Sequence, residues 1–148
     1  DILVLVFFGL IPVCATYYIQ IHAFSWVTFT LSLACGLAID ALLIVNNYRD
    51  RETDAESGKI TLAVKLGEKG TERMYLWTGI AAVLLCQILW FDGHRAGAIL
   101  PMIYLFPHIL TWKYMVDIKK GVKLNRVLGQ TARNMFFFGI LLSVGLLI

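Results

Sequence analysis

The sequence has 148 residues, of which 59% are hydrophobic and 16% are charged, and its mean hydropathy is +0.74. An ordinary water-soluble domain has about 25% charged residues, so this composition excludes that class and indicates a membrane protein. The net charge is only +3, and no basic run is interleaved with aromatic residues, which argues against a nucleic-acid partner. The three cysteines all lie in apolar stretches and are expected to be buried rather than joined in disulfides.

Five apolar segments are long enough, or nearly so, to cross the hydrocarbon core of a bilayer as helices, which takes about 20 residues. Helices are expected because lipid offers no partner to unpaired backbone groups and no barrel-like alternation of residues is present. Pro12, Pro101 and Pro107 predict kinks inside their segments. The last segment becomes apolar only at Met135, so its helix is expected to begin in the preceding polar stretch. The predicted fold class is all-α, a multi-span helical membrane bundle with five spans at 2–19, 26–45, 74–91, 96–116 and 132–148.

The connections between these segments divide the basic residues unequally. The turn 20–25 has no Lys or Arg and the connection 92–95 has one, whereas 46–73 and 113–133 have six each. The positive-inside rule assigns the basic side to the cytoplasm. The long connection 46–73 is therefore predicted to be cytoplasmic, and the chain is predicted to begin inside and to end, at Ile148, outside.

Carboxylates and amides follow the second segment at helical spacing. No Pro or Gly interrupts the stretch until Ser57-Gly58, so the second helix is expected to continue past Asp54 and to stop there. Asn46, Asp50 and Asp54 are spaced i, i+4, i+8, and Asn47 lies three residues before Asp50. These side chains therefore share one face of the helix at the edge of the membrane.

The residue types on this face suit a metal–diphosphate complex. Carboxylates one helical turn apart repel unless a cation lies between them. Mg²⁺ is typically bound by one or two carboxylates, with water and substrate phosphate oxygens completing its shell. Arg49, Arg51 and Lys59 are close in sequence, and such cations bind diphosphate oxygens. A solvated helix end held by ion pairs remains the alternative, and spacing alone does not decide between the two.

A run of about 22 residues resembles the second Asp-rich motif of the UbiA superfamily of membrane prenyltransferases, and most resembles the 1,4-dihydroxy-2-naphthoate prenyltransferases of menaquinone synthesis. It reads Asn46-Asn47-x-Arg49-Asp50-x-x-x-Asp54-x-x-x-Gly58-Lys59-x-Thr61-Leu62-x-Val64-x-x-Gly67. The five spans agree with the last five of that superfamily's nine helices. Residues 1–148 are therefore expected to form the C-terminal part of a single prenyltransferase domain, and the start at Asp1, without a Met, agrees with a fragment. The superfamily's first Asn/Asp-rich motif is missing from this chain.

The resemblance implies transfer of a polyprenyl group from polyprenyl diphosphate to an aromatic acceptor, 1,4-dihydroxy-2-naphthoate, in a bacterial inner membrane. Asp50 and Asp54 would be catalytic and would bind Mg²⁺, with Asn46 and Asn47 as further metal ligands. The diphosphate would be bound by Arg49 and Lys59. Without the N-terminal half, which carries the first motif, the chain is expected to be inactive. Sister enzymes acting on 4-hydroxybenzoate, haem or chlorophyllide, and a fragment of an ion or solute transporter, remain alternatives.

Asp40 is a carboxylate at membrane depth, which makes it a functional candidate by default. The alternative for Asp40 is a hydrogen bond to a Ser or Thr of a neighbouring helix, or a position in the wall of a water-lined cavity. His22, His94 and His108 share no metal-ligand spacing, and His108 is expected to be a hydrogen-bonded interior residue. The basic run Lys119–Lys123 is expected to contact lipid headgroups.

Overall fold

The computed structural model describes residues 1–148 as a bundle of helices without a β-strand. This confirms the all-α fold class. Large apolar side chains such as Phe7, Phe106 and Phe136 are exposed on its outer surface, as expected for helices that face lipid. The helices are α1 Ile2–Ile21, α2 Trp26–Glu56, α3 Leu62–Phe91, α4 Arg95–Ile99, α5 Leu105–Ile118 and α6 Leu124–Leu147, with a 3-10 turn Leu100–Tyr104 between α4 and α5.

Four of these helices, α1, α2, α3 and α6, are long and apolar enough to cross a membrane. The span predicted at 96–116 is helical throughout, but it is divided into α4, the 3-10 turn and α5. Pro101 lies at the start of the 3-10 turn and Pro107 in the first turn of α5. Proline has no N–H and its ring collides with the carbonyl four residues earlier, so a regular α-helix is interrupted at these points. The membrane bundle is therefore confirmed, whereas the count of five spans is not.

Helix α2 carries the predicted site beyond the apolar part of the bundle. It begins at Trp26, where the side chain of Ser25 accepts a hydrogen bond from the Thr28 N–H at 3.2 Å, and it ends at Glu56. Gly58, with φ +75°, turns the chain away, which confirms the predicted stop. At 1.5 Å per residue the helix is about 46 Å long, against a hydrocarbon core of about 30 Å. Its last turns therefore project into the aqueous boundary.

Most of the connection 46–73 is helical rather than an irregular loop. Only residues 57–61 lie between α2 and α3. Thr61 caps the start of α3, because its side chain accepts a hydrogen bond from the Val64 N–H at 3.3 Å. Gly67, with φ +66°, introduces a kink five residues after the start of α3. The final helix likewise begins at Leu124, inside the polar stretch as predicted.

Helices α1 and α2 cross in direct backbone contact. A Cβ atom on Gly9 would lie 2.6 Å from the Cα of Gly36, closer than real atoms approach. Small residues of this kind allow helices to pack tightly where lipid supplies no hydrophobic driving force. The contact occurs within a π-helical segment, Leu5–Leu10, just before the predicted kink residue Pro12. It fixes α1 against the helix that carries the site.

The half of the bundle that contains the C-terminal end of α2 has its own apolar cluster. This cluster joins four helices, because α2 packs there against α3, α5 and α6. Each member is almost completely buried. The cluster holds the projecting end of α2 in a fixed position, and its members are Ala41, Ile44, Val45, Tyr48, Tyr75, Met115, Leu124 and Val127.

Deeper in the bundle, His108 is hydrogen-bonded on both ring nitrogens, which confirms the expectation for this residue. Its Nε2 lies 3.1 Å from the Tyr75 carbonyl oxygen and its Nδ1 lies 3.0 Å from the Tyr104 hydroxyl. A carbonyl only accepts, so Nε2 is the protonated nitrogen, and in a neutral ring Nδ1 accepts from Tyr104. The ring also stacks on Tyr75, with centroids 4.6 Å apart. This residue is structural, not a metal ligand.

The two basic connections meet at one end of the bundle. Arg51 Nη1 donates to the Lys119 carbonyl oxygen at 2.9 Å, which joins the end of α2 to the connection between α5 and α6. At the other end, Gln20, Ser25 and Asp92 line one cavity. The two connections rich in Lys and Arg thus lie at one end of the bundle, and the two connections with few such residues lie at the other end. The positive-inside rule predicts this separation.

Orientation is tested by cysteine labelling in intact cells. We expect the variants Glu56→Cys and Lys120→Cys to react with an impermeant maleimide only after the cytoplasmic face is opened. We expect Gly93→Cys to react from outside, because it lies in the connection that has a single basic residue. The unsubstituted protein is the control. Labelling of Glu56→Cys and Lys120→Cys from opposite faces would contradict the predicted topology.

Candidate functional site

Near the C-terminal end of α2, Arg49 and Asp50 form a two-point ion pair. Arg49 Nε donates to Asp50 Oδ1 at 2.7 Å and Nη2 donates to Oδ2 at 2.8 Å. The same Nη2 donates to Asn46 Oδ1 at 2.9 Å, and Nη1 donates to Asn125 Oδ1 on α6, also at 2.9 Å. The hydrogen bonds from Arg49 lower the pKa of the Asp50 carboxyl, although partial burial acts in the opposite direction. Asp50 is therefore a carboxylate at neutral pH.

Lys59 and Asp54 form a second ion pair one helical turn further on. Lys59 Nζ lies 3.2 Å from Asp54 Oδ1 and 3.1 Å from Oδ2. Asp54 is 8% exposed, whereas the side chain of Lys59 is mostly in solvent. Each cation assigned by resemblance to the diphosphate is thus paired, in this structure, with a carboxylate assigned to the metal.

A polar cavity of about 460 Å³ lies beside these pairs. Its wall includes Asn46, Asn47 and Lys59 among the predicted site residues, together with Thr61 and Lys65. Neither predicted catalytic carboxylate lines it. The structure therefore brings the amides and one cation to a common opening, with the two carboxylates held next to it by their cations.

The polar cavity adjoins an apolar one of about 360 Å³. The two share Leu43 and Asn46, so charged groups near the end of α2 lie next to apolar groups further along the same helix. Only one of the seven lining side chains is polar, and the lining consists of Val4, Phe8, Ile39, Leu42, Leu43, Asn46 and Leu128. A ligand with a charged head and a hydrocarbon tail suits this shape.

The donor set fits Mg²⁺ in chemistry but is incomplete in number. No group of three or more His, Cys, Asp or Glu side chains converges in the chain. Asp50 and Asp54 offer hard carboxylate oxygens, and Asn46 and Asn47 offer amide oxygens, which are the ligands that Mg²⁺ prefers. Because this ion commonly takes only one or two protein carboxylates, the remaining positions are left for water, substrate or another part of the protein.

Arg51 is not available to a diphosphate, contrary to what its position in the sequence indicates. It is 9% exposed, and it donates to the Tyr48 carbonyl at 2.8 Å and to Glu68 Oε2 at 2.9 Å, besides Lys119. Its guanidinium also lies 4.4 Å from the centre of the Tyr48 ring. Arg51 therefore joins α2, α3 and the α5–α6 connection.

Behind Arg51, Glu72 extends this network in a way that the sequence analysis missed. Glu72 Oε1 accepts from the Tyr48 hydroxyl at 2.8 Å, and its backbone carbonyl accepts from Trp112 Nε1 at 3.0 Å. A sequence signal existed: Glu68 and Glu72 are four residues apart, and they follow Arg51 after a short connection. The network joins the projecting end of α2 to α3 and α5.

Arg51 and Arg49 are expected to differ in their effect on stability. Arg51→Met removes three hydrogen bonds from a nearly buried guanidinium, so we expect the thermal unfolding temperature in detergent to fall by several degrees. Arg49→Met removes four hydrogen bonds, but they lie at a partly exposed site, where an ion pair is commonly worth about 0–1 kcal/mol, so we expect a smaller fall. Equal unfolding temperatures for the two variants would contradict the structural role of Arg51.

Asp40 lies on the same face of α2 as Asn47, two turns deeper in the membrane. It is 2% exposed, and its Oδ1 has no hydrogen-bond partner. The alternative of a hydrogen bond to Ser or Thr is therefore not met at this oxygen. A buried carboxylate oxygen without a partner is energetically costly, and nothing in the structure assigns it a ligand.

The helical bundle and its charged membrane boundary define an integral membrane protein. The chain belongs to the UbiA prenyltransferase family, whose family model matches residues 1–147.

Relatives from bacteria and a slime mould support this membership. The chain is 38% identical over 152 residues to a 1,4-dihydroxy-2-naphthoate octaprenyltransferase of Haemophilus influenzae, covering 100% of the chain and 48% of that protein. It is 30% identical over 148 residues to the Escherichia coli protein of the same name, covering 99% and 48%. It is 33% identical to UbiA prenyltransferase domain-containing protein 1 of Dictyostelium discoideum, covering 100% and 44%. The chain thus spans about half the length of these relatives, and no solved structure matches it.

Proposed function

We propose that the complete protein transfers a polyprenyl group from its diphosphate to 1,4-dihydroxy-2-naphthoate, a step of menaquinone biosynthesis, at the cytoplasmic face of a bacterial inner membrane. The observation that carries this proposal is the charged motif of α2 beside a polar cavity that adjoins an apolar one. A prenyl diphosphate has the same division into a charged head and a hydrocarbon tail. The similarity to two bacterial 1,4-dihydroxy-2-naphthoate octaprenyltransferases supports this compound as the acceptor.

The residues of α2 and of the following turn have two roles: some bind the metal ion and others bind the diphosphate. Asp50 and Asp54 hold Mg²⁺, with Asn46 or Asn47 assisting, and this ion neutralises charge on the diphosphate when bound. Arg49 and Lys59 bind diphosphate oxygens, which stabilises the charge that develops on the leaving group.

The prenyl transfer itself needs no protein nucleophile. The bond between the first prenyl carbon and the diphosphate oxygen breaks, and its electron pair leaves with the diphosphate. The aromatic ring then supplies the electron pair of the new carbon–carbon bond. Apolar side chains such as Phe8 and Leu42 surround the tail and keep water away from the reacting carbon.

Part of the site comes from outside this chain. Beyond Asp40–Glu72, the only carboxylates are Asp1, Asp92 and Asp117. Asp1 lines the polar cavity, but the three are far apart in the sequence, so these 148 residues hold a single acidic motif. We propose that the other half of the complete protein brings a second acidic motif to face the end of α2. Two such motifs would hold more Mg²⁺ than one, and the bound metal would neutralise more of the charge on the diphosphate.

The decisive experiment uses the complete protein in membrane vesicles with a radiolabelled prenyl diphosphate. We expect a prenylated product with 1,4-dihydroxy-2-naphthoate when Mg²⁺ is present and none when EDTA removes it. 4-Hydroxybenzoate is the comparison acceptor. A product from 4-hydroxybenzoate alone would identify a sister enzyme. No product from any acceptor would reject the proposal and favour the transporter alternative.

In the same assay, the 148-residue chain by itself is expected to give no product. Its one acidic motif leaves the charge of the leaving diphosphate insufficiently neutralised. Co-expression with the N-terminal half is expected to restore some activity, and membrane content of the chain, measured by immunoblot, is the control. Robust turnover by the chain alone would show that a second motif is not required.

A further inference from the structure

The charged groups assigned to the metal and to the diphosphate neutralise each other within the chain. Arg49 binds both carboxylate oxygens of Asp50, at 2.7 and 2.8 Å, and the amide oxygen of Asn46 at 2.9 Å. Lys59 binds both carboxylate oxygens of Asp54, at 3.2 and 3.1 Å. Three of the four proposed metal ligands are therefore occupied by the two proposed diphosphate-binding cations.

Binding of Mg²⁺ alone, or of diphosphate alone, would leave a charged side chain without a partner of opposite charge. Mg²⁺ by itself would displace Arg49 from Asp50 and leave a guanidinium beside a divalent cation. A diphosphate by itself would draw Arg49 and Lys59 away and leave two carboxylates beside a polyanion. Binding of diphosphate alone is the less favourable case, because Asp54 would lose Lys59. Asp54 is only 8% exposed, so little water can reach its carboxylate in place of Lys59.

The two ligands together remove this difficulty because ion pairs are exchanged rather than broken. The carboxylates pass from Arg49 and Lys59 to Mg²⁺, and the two cations pass to the diphosphate oxygens. We propose that this exchange makes Mg²⁺ and the prenyl diphosphate mutually dependent ligands, each bound weakly alone and tightly in the presence of the other. The inference rests on the function proposed above and concerns how that same site is filled.

Asn125 keeps Arg49 in place during the exchange. Arg49 Nη1 donates to Asn125 Oδ1 at 2.9 Å, and this contact involves no proposed metal ligand. It therefore persists when Asp50 changes partner. Asn125 lies at the start of α6, 76 residues from Arg49 in the sequence, and it acts as a positioning residue for the guanidinium.

The test measures binding to the complete protein in detergent, without turnover. Titration calorimetry gives the affinity for Mg²⁺ alone, and equilibrium dialysis gives the affinity for radiolabelled inorganic diphosphate with and without Mg²⁺. Formation of the Mg²⁺–diphosphate complex in buffer is measured separately and subtracted. For the unsubstituted protein we expect Mg²⁺ to raise the affinity for diphosphate at least about tenfold, and linkage requires diphosphate to raise the affinity for Mg²⁺ by the same factor.

Arg49→Gln separates this mechanism from ordinary charge attraction. Because the substitution frees Asp50, Mg²⁺ alone is expected to bind several-fold more tightly, whereas diphosphate binds more weakly and the coupling factor falls towards one. Asn125→Ala leaves the Arg49–Asp50 pair intact, so the affinity for Mg²⁺ alone is expected to stay unchanged while the affinity for diphosphate falls. The control is Lys120→Gln, whose pair with Glu52 is long, at 3.7 Å, and largely exposed.

The outcomes distinguish this inference from the proposed function. Equal affinity for Mg²⁺ alone in the unsubstituted and Arg49→Gln proteins, with the coupling factor unchanged, would overturn the exchange of ion pairs. Independent binding of Mg²⁺ and diphosphate would overturn it as well, while leaving the proposed prenyl transfer intact. Failure of the unsubstituted protein to bind diphosphate under any condition would instead reject the proposed function itself, and the inference with it.

Discussion

Asp50→Asn or Asp54→Asn in the complete protein is expected to lower prenyl transfer at least about 100-fold. Either substitution removes a charge that the proposed Mg²⁺ site needs, and a bound metal ion contributes several kcal/mol of charge stabilisation in the transition state. Since about 1.4 kcal/mol corresponds to a factor of ten in rate, the loss of even half of this contribution is large. The amide also preserves the size of the side chain, so packing around α2 should hardly change. The measurement is the initial rate with radiolabelled prenyl diphosphate at saturating Mg²⁺.

The matched controls for this result lie on the same turns of α2. Glu52 and Glu56 are exposed carboxylates, and unlike Asp50 and Asp54 neither pairs with Arg49 or Lys59. Glu52→Gln and Glu56→Gln are therefore expected to retain activity, although each removes one negative charge as well. Immunoblots must show equal amounts of all four variants in the membrane. Near-normal turnover by Asp50→Asn would make the metal assignment wrong.

Gly79→Ala is expected to produce a large loss of stability for the addition of a single methyl group. A Cβ atom at this position would lie 2.2 to 2.5 Å from three atoms of the His108 ring. The ring cannot move aside freely, because Tyr75 and Tyr104 hold both of its nitrogens. Overpacking typically costs about 1–3 kcal/mol, and a displaced ring would also lose hydrogen bonds worth about 1 kcal/mol each. We expect a clear fall in the thermal unfolding temperature and in the yield of folded protein.

Two comparisons isolate the collision from the general effect of adding a methyl group. At Gly139, also within a helix, an added Cβ meets no atom within 4 Å, so Gly139→Ala should be neutral or slightly stabilising. The double variant Gly79→Ala with His108→Ala removes the colliding ring, and the two effects should therefore be non-additive, with the double variant more stable than the sum predicts. An unfolding temperature of Gly79→Ala equal to that of the unsubstituted protein would contradict the close packing.

Several features of the site follow from local sequence. The extension of α2 past Asp54 was predictable, because no Pro or Gly interrupts it before Gly58 and a left-handed glycine ends it. The common helical face of Asp50 and Asp54 follows from their spacing alone. The early start of α3 at Leu62 was not predicted, since its first turns are too polar to resemble a membrane span, although Thr61 is a typical capping residue.

The division of the fourth predicted span depended on more than hydropathy. Residues 96–116 are apolar enough for a span, but Pro101 and Pro107 divide them into shorter helical pieces. Hydropathy measures the affinity of a segment for lipid and is insensitive to a missing N–H. The positions of the prolines predicted a kink, whereas the way in which the chain continues through it depends on the helices packed around it.

Composition and spacing by themselves determined that this chain is a helical membrane bundle and which polar residues share the C-terminal end of α2. Both properties are local, since they depend on the affinity of each segment for lipid and on 3.6 residues per helical turn. Only the tertiary structure decided that Arg49 pairs with Asp50 and Asn125, whereas Arg51 is turned away and buried against Glu68 and Lys119. Residues two apart on a helix point about 200° apart. Their partners lie up to 76 residues away, so packing between helices, not the order of residues, selects which arginine faces the site.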